Sequence, residues 1–596
     1  MATPWKALEA RSMAQYKAHG TRRVWLPAFA FGAFAAVIAA RLVQLQVIEH
    51  DTYAARAEHE LLGQETIYAR RGTILDRNGG VLATSVDTWD IYVNPRAWRD
   101  DAVASKAAAE LAPLLKTTPA ELLAAVRANP EGDVRVRIDL PYEPGLEIIK
   151  LNIPGVVALA NTARVNPEGD VGASVVGFIG TDNTGLAGVE DAYNEVLQGT
   201  PGRAVYERDT TGDPIPYGQY FIEEPKQGED LILTIDRRLQ QLAEETLAEA
   251  LKTHRAKSGS IIAIDPMSGE ILALATFPAL KYSTREQDLA QGGEEALALL
   301  KNRAVTDLYE PGSVMKVITA AAAIDAGVVG PDTTYYDSGV AFAEGAPNVP
   351  LKNWDDGVYG QQTMTGVLQH SINSGAVFMQ QALGTKRFQQ YLDAFGFGKP
   401  TGVDLQGEAS GIFRRPEDEG YSPVDVATQA FGQSISVTPM QMLQAVAAAI
   451  NGGNLITPHV VKARVKPDGT RVDIQPQVVG RAISTAASDT IRQMLGEVVA
   501  QDPDGWGRNP SRYTAGGKSG TANVPVWGTY DDTQIVSFMG FAPLQNPRIL
   551  VLVKLDENKD GLTGTQAGGP IFARFVDQAL PYLSVRPEKG PSAVSR

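Results

Sequence analysis

The longest uncharged apolar run lies near the start of the chain. Val24 to Ala40 carries no charge, and Leu42 to Ile48 prolongs the run with Gln44 and Gln46 as its polar breaks. Arg41 interrupts it, but a long cationic side chain can reach back to an interface. About 20 apolar residues span a bilayer, so Val24–Ile48 predicts one transmembrane helix. Lys6, Arg11, Lys17, Arg22 and Arg23 precede the run, while Glu49 and Asp51 follow it. A basic flank stays on the cytoplasmic side. The pattern therefore predicts a cytoplasmic tail over 1–23, a single-pass anchor in the cytoplasmic membrane over 24–48, and an extracytoplasmic remainder. A cleaved signal peptide is the alternative, kept open by the small residues around Ala36–Ala40. The unbroken amphipathic continuation from Arg41 to Ile48 favours a retained anchor.

Residues 49–227 alternate short apolar stretches with many turn signals and predict a mixed α/β module. Arg70 to Gly79 is a short strand entering an Asn78-Gly79 turn, with Val81-Leu82 resuming the strand. Ala102 to Ala128 is rich in Ala and Leu and predicts helices broken at Pro113 and Pro119. A second unit spans 228–585. Glu229–Asp236 alternates as a strand, Arg237–His254 has a helical pattern, and Gly259–Pro266 with Glu270–Thr276 forms a hairpin about Pro266–Gly269. Strands return late, over Gln534–Phe541 and Arg548–Leu555, before a final helix over Pro570–Tyr582. Helices fill the middle, near 312–326, 363–384 and 438–450. Thr438, Pro439 and Gly452 are the cap signals of the last of these. The class is α+β: an antiparallel sheet flanked and interrupted by helices. Residues 586–596 form a tail.

Composition narrows the chemistry. The length of 596 residues requires two or more folded domains. A formal charge of −15 speaks against nucleic-acid binding, which depends on cations neutralising phosphates. The absence of cysteine removes a Cys nucleophile, Cys-bound zinc and disulfides. The six histidines do not assemble a Ser-His-Asp triad. His370 lies nearest a motif and is assigned a structural place.

Three short motifs remain. In Glu310-Pro-Gly-Ser313-Val-Met-Lys316, Ser313 follows a Pro-Gly turn at the start of a helix predicted over Val314–Ala326. Lys316 follows at i+3, on the same side. Helix-start amides favour negative charge. A lysine brought toward neutrality by burial or a second cation can deprotonate a serine hydroxyl. Alone, Ser-x-x-Lys is more often a capping serine with a solvated lysine. Ser371-Ile-Asn373 presents two short polar side chains before Gly375 and suits a loop facing a cleft, or an ordinary turn between helices. Gly516-Gly-Lys518-Ser519-Gly520-Thr521 offers a cation and a hydroxyl on a backbone that lets another chain approach, or a plain surface turn. A phosphate-binding P-loop shares its Gly-Lys-Ser ending but needs a glycine at 512, which is Arg.

In this order the motifs match the Ser-x-x-Lys, Ser-Asp-Asn and Lys-Thr-Gly set of class A β-lactamases and penicillin-binding proteins. Two departures occur: Ile for Asp in the second motif, and Ser for Thr in the third. The chain resembles class B penicillin-binding proteins over residues 24 to 585. Asn302 to Gly312 resembles the family's lead-in to its nucleophile, and Arg71–Gly79 and Gly185–Glu190 with Tyr193 resemble motifs of its N-terminal module. Gly432–Gln441 resembles a stretch near its cleft. The lead-in looks closer to the division-type branch than to the elongation branch.

The resemblance implies a pedestal followed by a transpeptidase domain that cross-links peptidoglycan stem peptides with release of D-Ala and binds β-lactam antibiotics. It assigns Ser313 as nucleophile, Lys316 as its base, Ser371 as proton relay and Asn373 as the residue orienting Lys316. Lys518, Ser519, Gly520 and Thr521 bind substrate, and the N–H groups of Ser313 and Thr521 form an oxyanion hole. No metal or cofactor is implied. Implied partners are the membrane, a polytopic glycan-polymerising glycosyltransferase, and other division or elongation proteins. A D,D-carboxypeptidase or β-lactamase-like hydrolase is the enzymatic alternative, and a catalytically silent wall-synthesis scaffold the other.

Overall fold

The structure is a computed structural model and describes residues 25–53, 62–130, 132–207, 220–501, 507–526 and 529–589. The basic flank through Arg23 and the end of the C-terminal tail lie outside these residues. The chain divides into two compact units, one holding the described residues up to Ala69 with Thr200–Lys226, the other Arg70–Gly199 with Gln227 onward.

In the first unit Trp25–Ile48 is one helix of 24 residues, long and apolar enough to cross a membrane, with no part of its apolar window covered by protein. Its polar breaks bond to one another: Arg41 Nη1 donates to Gln44 Oε1 at 2.8 Å, and Gln44 Nε2 to Glu49 Oε1 at 2.8 Å. Strands Leu62–Ile67, Gly202–Glu207 and Tyr220–Glu223 form a small antiparallel sheet.

The second unit is built around a five-stranded antiparallel sheet: β1 (Ser258–Ile264), β2 (Ile271–Phe277), β3 (Gly516–Val526), β4 (Thr529–Ala542) and β5 (Ile549–Asn558), in the order β2-β1-β5-β4-β3. Its central strands hold unbroken apolar runs, Ile261–Ile264 in β1 and Ile549–Val553 in β5, because both faces are covered. Ile261 and Ala263 pack with helices α1 (Arg237–His254) and α6 (Gly564–Tyr582). Ile262 and Ile264 face the helical layer of α2 (Met315–Asp325), α3 (Asn373–Leu383), α4 (Pro439–Ile450) and α5 (Thr485–Ala500). A seven-stranded sheet runs beside this one. Within it Ile74–Leu75 pairs in parallel with Asp230–Leu233, so the Arg70–Gly79 segment supplies a two-residue strand lodged beside the residues that follow Gly228.

The two N-terminal motifs meet here. Arg71, 2% exposed, donates Nε to Glu190 Oε2 at 2.6 Å and Nη2 to the Glu190 carbonyl at 2.7 Å. Arg164 Nε donates to the other carboxylate oxygen at 2.7 Å. A charge removed from water must be paired, and Glu190 is held between two guanidinium groups.

Three expectations about helices need correction. Pro113 does not break its helix, which runs Asp101–Leu115. Burial of Leu111, Ala112 and Leu115 holds the last turn despite one lost backbone bond, and the break falls at left-handed Lys116, before Thr118 caps the next helix with Pro119 at its first position. The segment 363–384 is two helices, Met364–Gln369 and α3, parted where Ser371 takes a left-handed φ of 56°. The last helix starts at Gly564 rather than Pro570, because Thr563 and Gln566 form a capping box and Pro570 falls inside the helix. The Gly516–Thr521 motif, for which the sequence offers a close-approach backbone or a surface turn, lies in the edge strand β3. Its glycines hide the alternation by which strands are read.

Candidate active site

The turn before α2 and the edge strand β3 meet at the open side of the sheet. Gly312–Val314 makes one 3-10 turn that sets Ser313 at the entrance to α2, whose residues Met315 to Ala323 are all buried. Gly520 permits the contact between turn and strand: a Cβ there would lie 2.7 Å from the Pro311 carbonyl oxygen and 2.6 Å from Ser537 Oγ. The Gly432–Gln441 stretch clasps the lead-in from the other side. Tyr309 and Val437 exchange backbone hydrogen bonds at 3.0 and 2.9 Å, Gly312 N donates to Gly432 O at 3.1 Å, and Ser434 N donates to Glu310 Oε1 at 2.9 Å.

Lys316 is fully buried. Its Nζ lies 2.9 Å from Ser313 Oγ, 2.6 Å from the Ser371 carbonyl, 2.7 Å from Asn373 Oδ1 and 3.2 Å from Ser371 Oγ. Carbonyl oxygens only accept, so the two nearest neighbours each claim an N–H. In a neutral amine the remaining lone pair then faces Ser313, ready to take its proton. Burial, reinforced by the charge of Lys518, holds the Lys316 amine well below the ordinary lysine range.

Lys518, 2% exposed, donates Nζ to Ser371 Oγ at 3.0 Å and to Ser519 O at 3.1 Å. Burial, with the Arg508 charge nearby, brings it down to about 7. Ser371 thus bridges the first and third motifs.

Ser519 and Thr521 rim the same strand. Ser519 Oγ accepts from Thr565 Oγ1 at 2.7 Å, and Thr521 Oγ1 accepts from the Gly564 N–H at 3.1 Å. The first residues of α6 therefore orient both hydroxyls, a part played by Gly564 and Thr565 for which the sequence carries no signal. Ser313, Lys316, Ser371, Asn373 and Lys518 stand together as the motif order predicts. His370 stands apart: its ring stacks on Tyr359 at 5.3 Å. Among the described residues no group of three or more His, Asp or Glu is placed to hold a metal ion.

A serine at a helix entrance, a buried lysine at i+3 and a second lysine across a shared hydroxyl define a serine acyl-transfer site of the penicillin-binding type. Residues 259–577 match the penicillin-binding protein transpeptidase domain and residues 66–233 the penicillin-binding protein dimerisation domain. The chain belongs to the penicillin-binding protein transpeptidases, with the dimerisation-plus-transpeptidase arrangement of class B.

Stage V sporulation protein D of Bacillus subtilis is 34% identical over 567 residues, covering 93% of this chain and 84% of that protein. Peptidoglycan D,D-transpeptidase FtsI of Escherichia coli is 29% identical over 561 residues, covering 93% and 90%. Penicillin-binding protein 2X from Streptococcus thermophilus superposes with a TM-score of 0.75 at 26% identity, over 88% of this chain and 81% of that one. Penicillin-binding protein 3 of Mycobacterium tuberculosis, solved with aztreonam, gives 0.66 at 27% identity, over 88% and 99%.

Proposed function

We propose that this chain is a serine D,D-transpeptidase that cross-links peptidoglycan stem peptides. The observation that carries this reading is the Lys316 amine, buried and held by two acceptor-only oxygens with its third position on Ser313 Oγ.

Ser313 Oγ gives its proton to Lys316 Nζ and attacks the carbonyl between two terminal D-alanines. The tetrahedral oxyanion is met by the backbone N–H groups of Ser313 and Thr521; one such donor contributes about 3–4 kcal/mol in other acyl-transfer enzymes. The C–N bond breaks as the proton held by Lys316 passes through Ser371 Oγ to the leaving D-Ala amine, and an ester on Ser313 remains. An amine of a second stem peptide attacks that ester and gives its proton to Lys316, which returns it to the departing Ser313 oxygen, and the cross-linked amide leaves with Ser313 restored. Asn373 orients Lys316. Lys518, with the Ser519–Gly520–Thr521 stretch, binds the terminal carboxylate, and a β-lactam carboxylate occupies the same place.

The chain is divided as a cytoplasmic tail (1–23), a single-pass anchor in the cytoplasmic membrane (24–48), an extracytoplasmic pedestal (49–227), the transpeptidase domain (228–585) and a tail (586–596). The apolar helix and the basic residues ahead of it support that placement. The relatives named for cell-wall transpeptidation and sporulation support a septal role beside a glycan-polymerising partner. A stem pentapeptide supplied with an amine acceptor tests the reaction: D-Ala release with formation of the new amide is expected. Release with water as the acceptor would identify a carboxypeptidase, and no release would leave a silent scaffold.

A further inference from the structure

Helix α3, which carries Asn373 in its first turn, begins without a cap of its own. Ile372 occupies the cap position and offers no side-chain oxygen, so the first amides of the helix need a partner from elsewhere. Asn353, on the turn that follows the strand Ala346–Lys352, supplies it. Its Oδ1 accepts from the backbone N–H of Asn373 at 3.0 Å and of Ser374 at 3.2 Å. Its Nδ2 donates to Asp337 Oδ2 at 3.0 Å and to the Gly357 carbonyl at 3.0 Å. Backbone donors on one side and acceptor-only oxygens on the other leave the amide a single satisfied orientation.

Asp337 is itself fully buried and firmly held. Its Oδ1 accepts from Ser374 Oγ at 2.6 Å and from Gly339 N at 3.0 Å, and its Oδ2 accepts from Tyr359 N at 2.8 Å. Burial alone would push this carboxyl up, but hydrogen bonds from Ser374, Tyr359, Gly339 and Asn353 outweigh it and keep the group below the ordinary range. It therefore remains a carboxylate that only accepts, which prevents the Asn353 amide from turning over. Lys352, one residue earlier, accepts through its carbonyl from Asn373 Nδ2 at 2.9 Å. With its amide nitrogen so occupied, Asn373 has only Oδ1 to present to Lys316 Nζ, at 2.7 Å.

We propose that Asn353 is a positioning residue for the acylation step: it caps α3 from outside the helix and, with the Lys352 carbonyl beside it, fixes Asn373 so that the Lys316 amine is held against Ser313. This rests on the assignment of Ser313 as nucleophile and Lys316 as its base. Lysine has a long rotatable stem, and its amine is useful only at hydrogen-bonding distance from the serine. A misplacement of about 1 Å in such a site costs on the order of 100-fold in rate. The cap converts a buried carboxylate with no part in the chemistry into a restraint on the base.

The test is the time course of labelling of the full-length protein by a fluorescent penicillin, resolved into a binding constant, an acylation rate constant and the final labelled fraction. In Asn353→Ala the acylation rate constant is expected to fall about 10- to 100-fold, with the binding constant and the final labelled fraction close to wild type. A purely structural lesion would instead lower the labelled fraction. In an Asn373→Ala background the same change should cost less than about threefold, because its effect passes through Asn373. An unchanged acylation rate in Asn353→Ala, or the same loss in both backgrounds, overturns the proposal. If Asn353→Ala does not fold, Asn353→Ser is measured against the same criteria. Wild-type protein that fails to label on Ser313 would sink the transpeptidase reading instead, so the two failures are distinguishable.

Discussion

Lys316 and Lys518 meet at one hydroxyl, with Nζ of the first 3.2 Å and of the second 3.0 Å from Ser371 Oγ. Two ammonium groups that share a neighbour inside a protein do not both keep their protons at neutral pH. Burial first, and the Lys518 charge second, lower Lys316, which favours its neutral form and fits its proposed part as the base. One motif thereby tunes another across the cleft.

A bell-shaped pH profile follows. With Lys316 as the proposed base and Lys518 as the proposed cation for the substrate carboxylate, acylation requires the first neutral and the second charged. The second-order rate with a carboxylate-bearing β-lactam should fall at low pH as Lys316 takes up a proton. It should fall again as pH rises through about 7, where Lys518 loses its own. In Lys518→Arg the guanidinium stays charged, so the upper limb should disappear while the lower one stays. A wild-type rate that is flat from pH 6 to 9 would count against this assignment of roles.

Gly432→Ala tests the clasp around the turn that carries Ser313. Gly432 has a φ of +87°, and a Cβ there would lie 2.0 Å from the Gly312 carbonyl oxygen, which is backbone and cannot swing aside. We expect a loss of about 1–3 kcal/mol, as for other overpacked sites, read as a lower melting temperature, together with slower acylation because Ser313 is the next residue along. A melt and a rate equal to wild type would mean that the turn yields freely.

Removal of residues 49–227, the proposed pedestal, should weaken the fold without altering the chemistry. Ile74, Leu231 and Leu233 are fully buried against one another across the shared sheet. A chain started near Gly228 loses Ile74 and uncovers its partners, and each such side chain contributes roughly 1.5–3 kcal/mol when fully buried. A lower melting temperature is expected, with acylation per folded molecule at the full-length rate. A well-folded fragment that no longer acylates would show that the pedestal takes part in the reaction.

Retention of the anchor is read at the mature N-terminus. The helix Trp25–Ile48 should stay with the chain, which then sediments with membranes and resists alkaline extraction. A mature start between Ala36 and Asp51 would identify a cleaved signal peptide and leave the transpeptidase assignment untouched.

Much of this was legible in the residues. The apolar run marked the helix Trp25–Ile48, long and apolar enough to cross a membrane. The 266–269 hairpin and the Thr438 cap follow local rules that tertiary packing did not override. The three motifs converge because strand order and helix packing bring Ser371 and Lys518 to Ser313, and their joint order carried that expectation where spacing alone could not. The edge strand β3 was hidden, since glycines selected for close approach at Gly520 erase the period-two pattern. Asn353 was hidden for a different reason. Its role depends on Ile372 failing to cap its own helix and on Asp337 reaching the same point from another strand, and neither relation has a signature along the chain.

The most direct measurement is peptide mass spectrometry of the protein after exposure to penicillin. One adduct is expected, on the peptide containing Ser313, absent from Ser313→Ala and strongly slowed in Lys316→Ala. An adduct on any other residue, or labelling that survives Ser313→Ala, would contradict the assignment of Ser313 as the nucleophile.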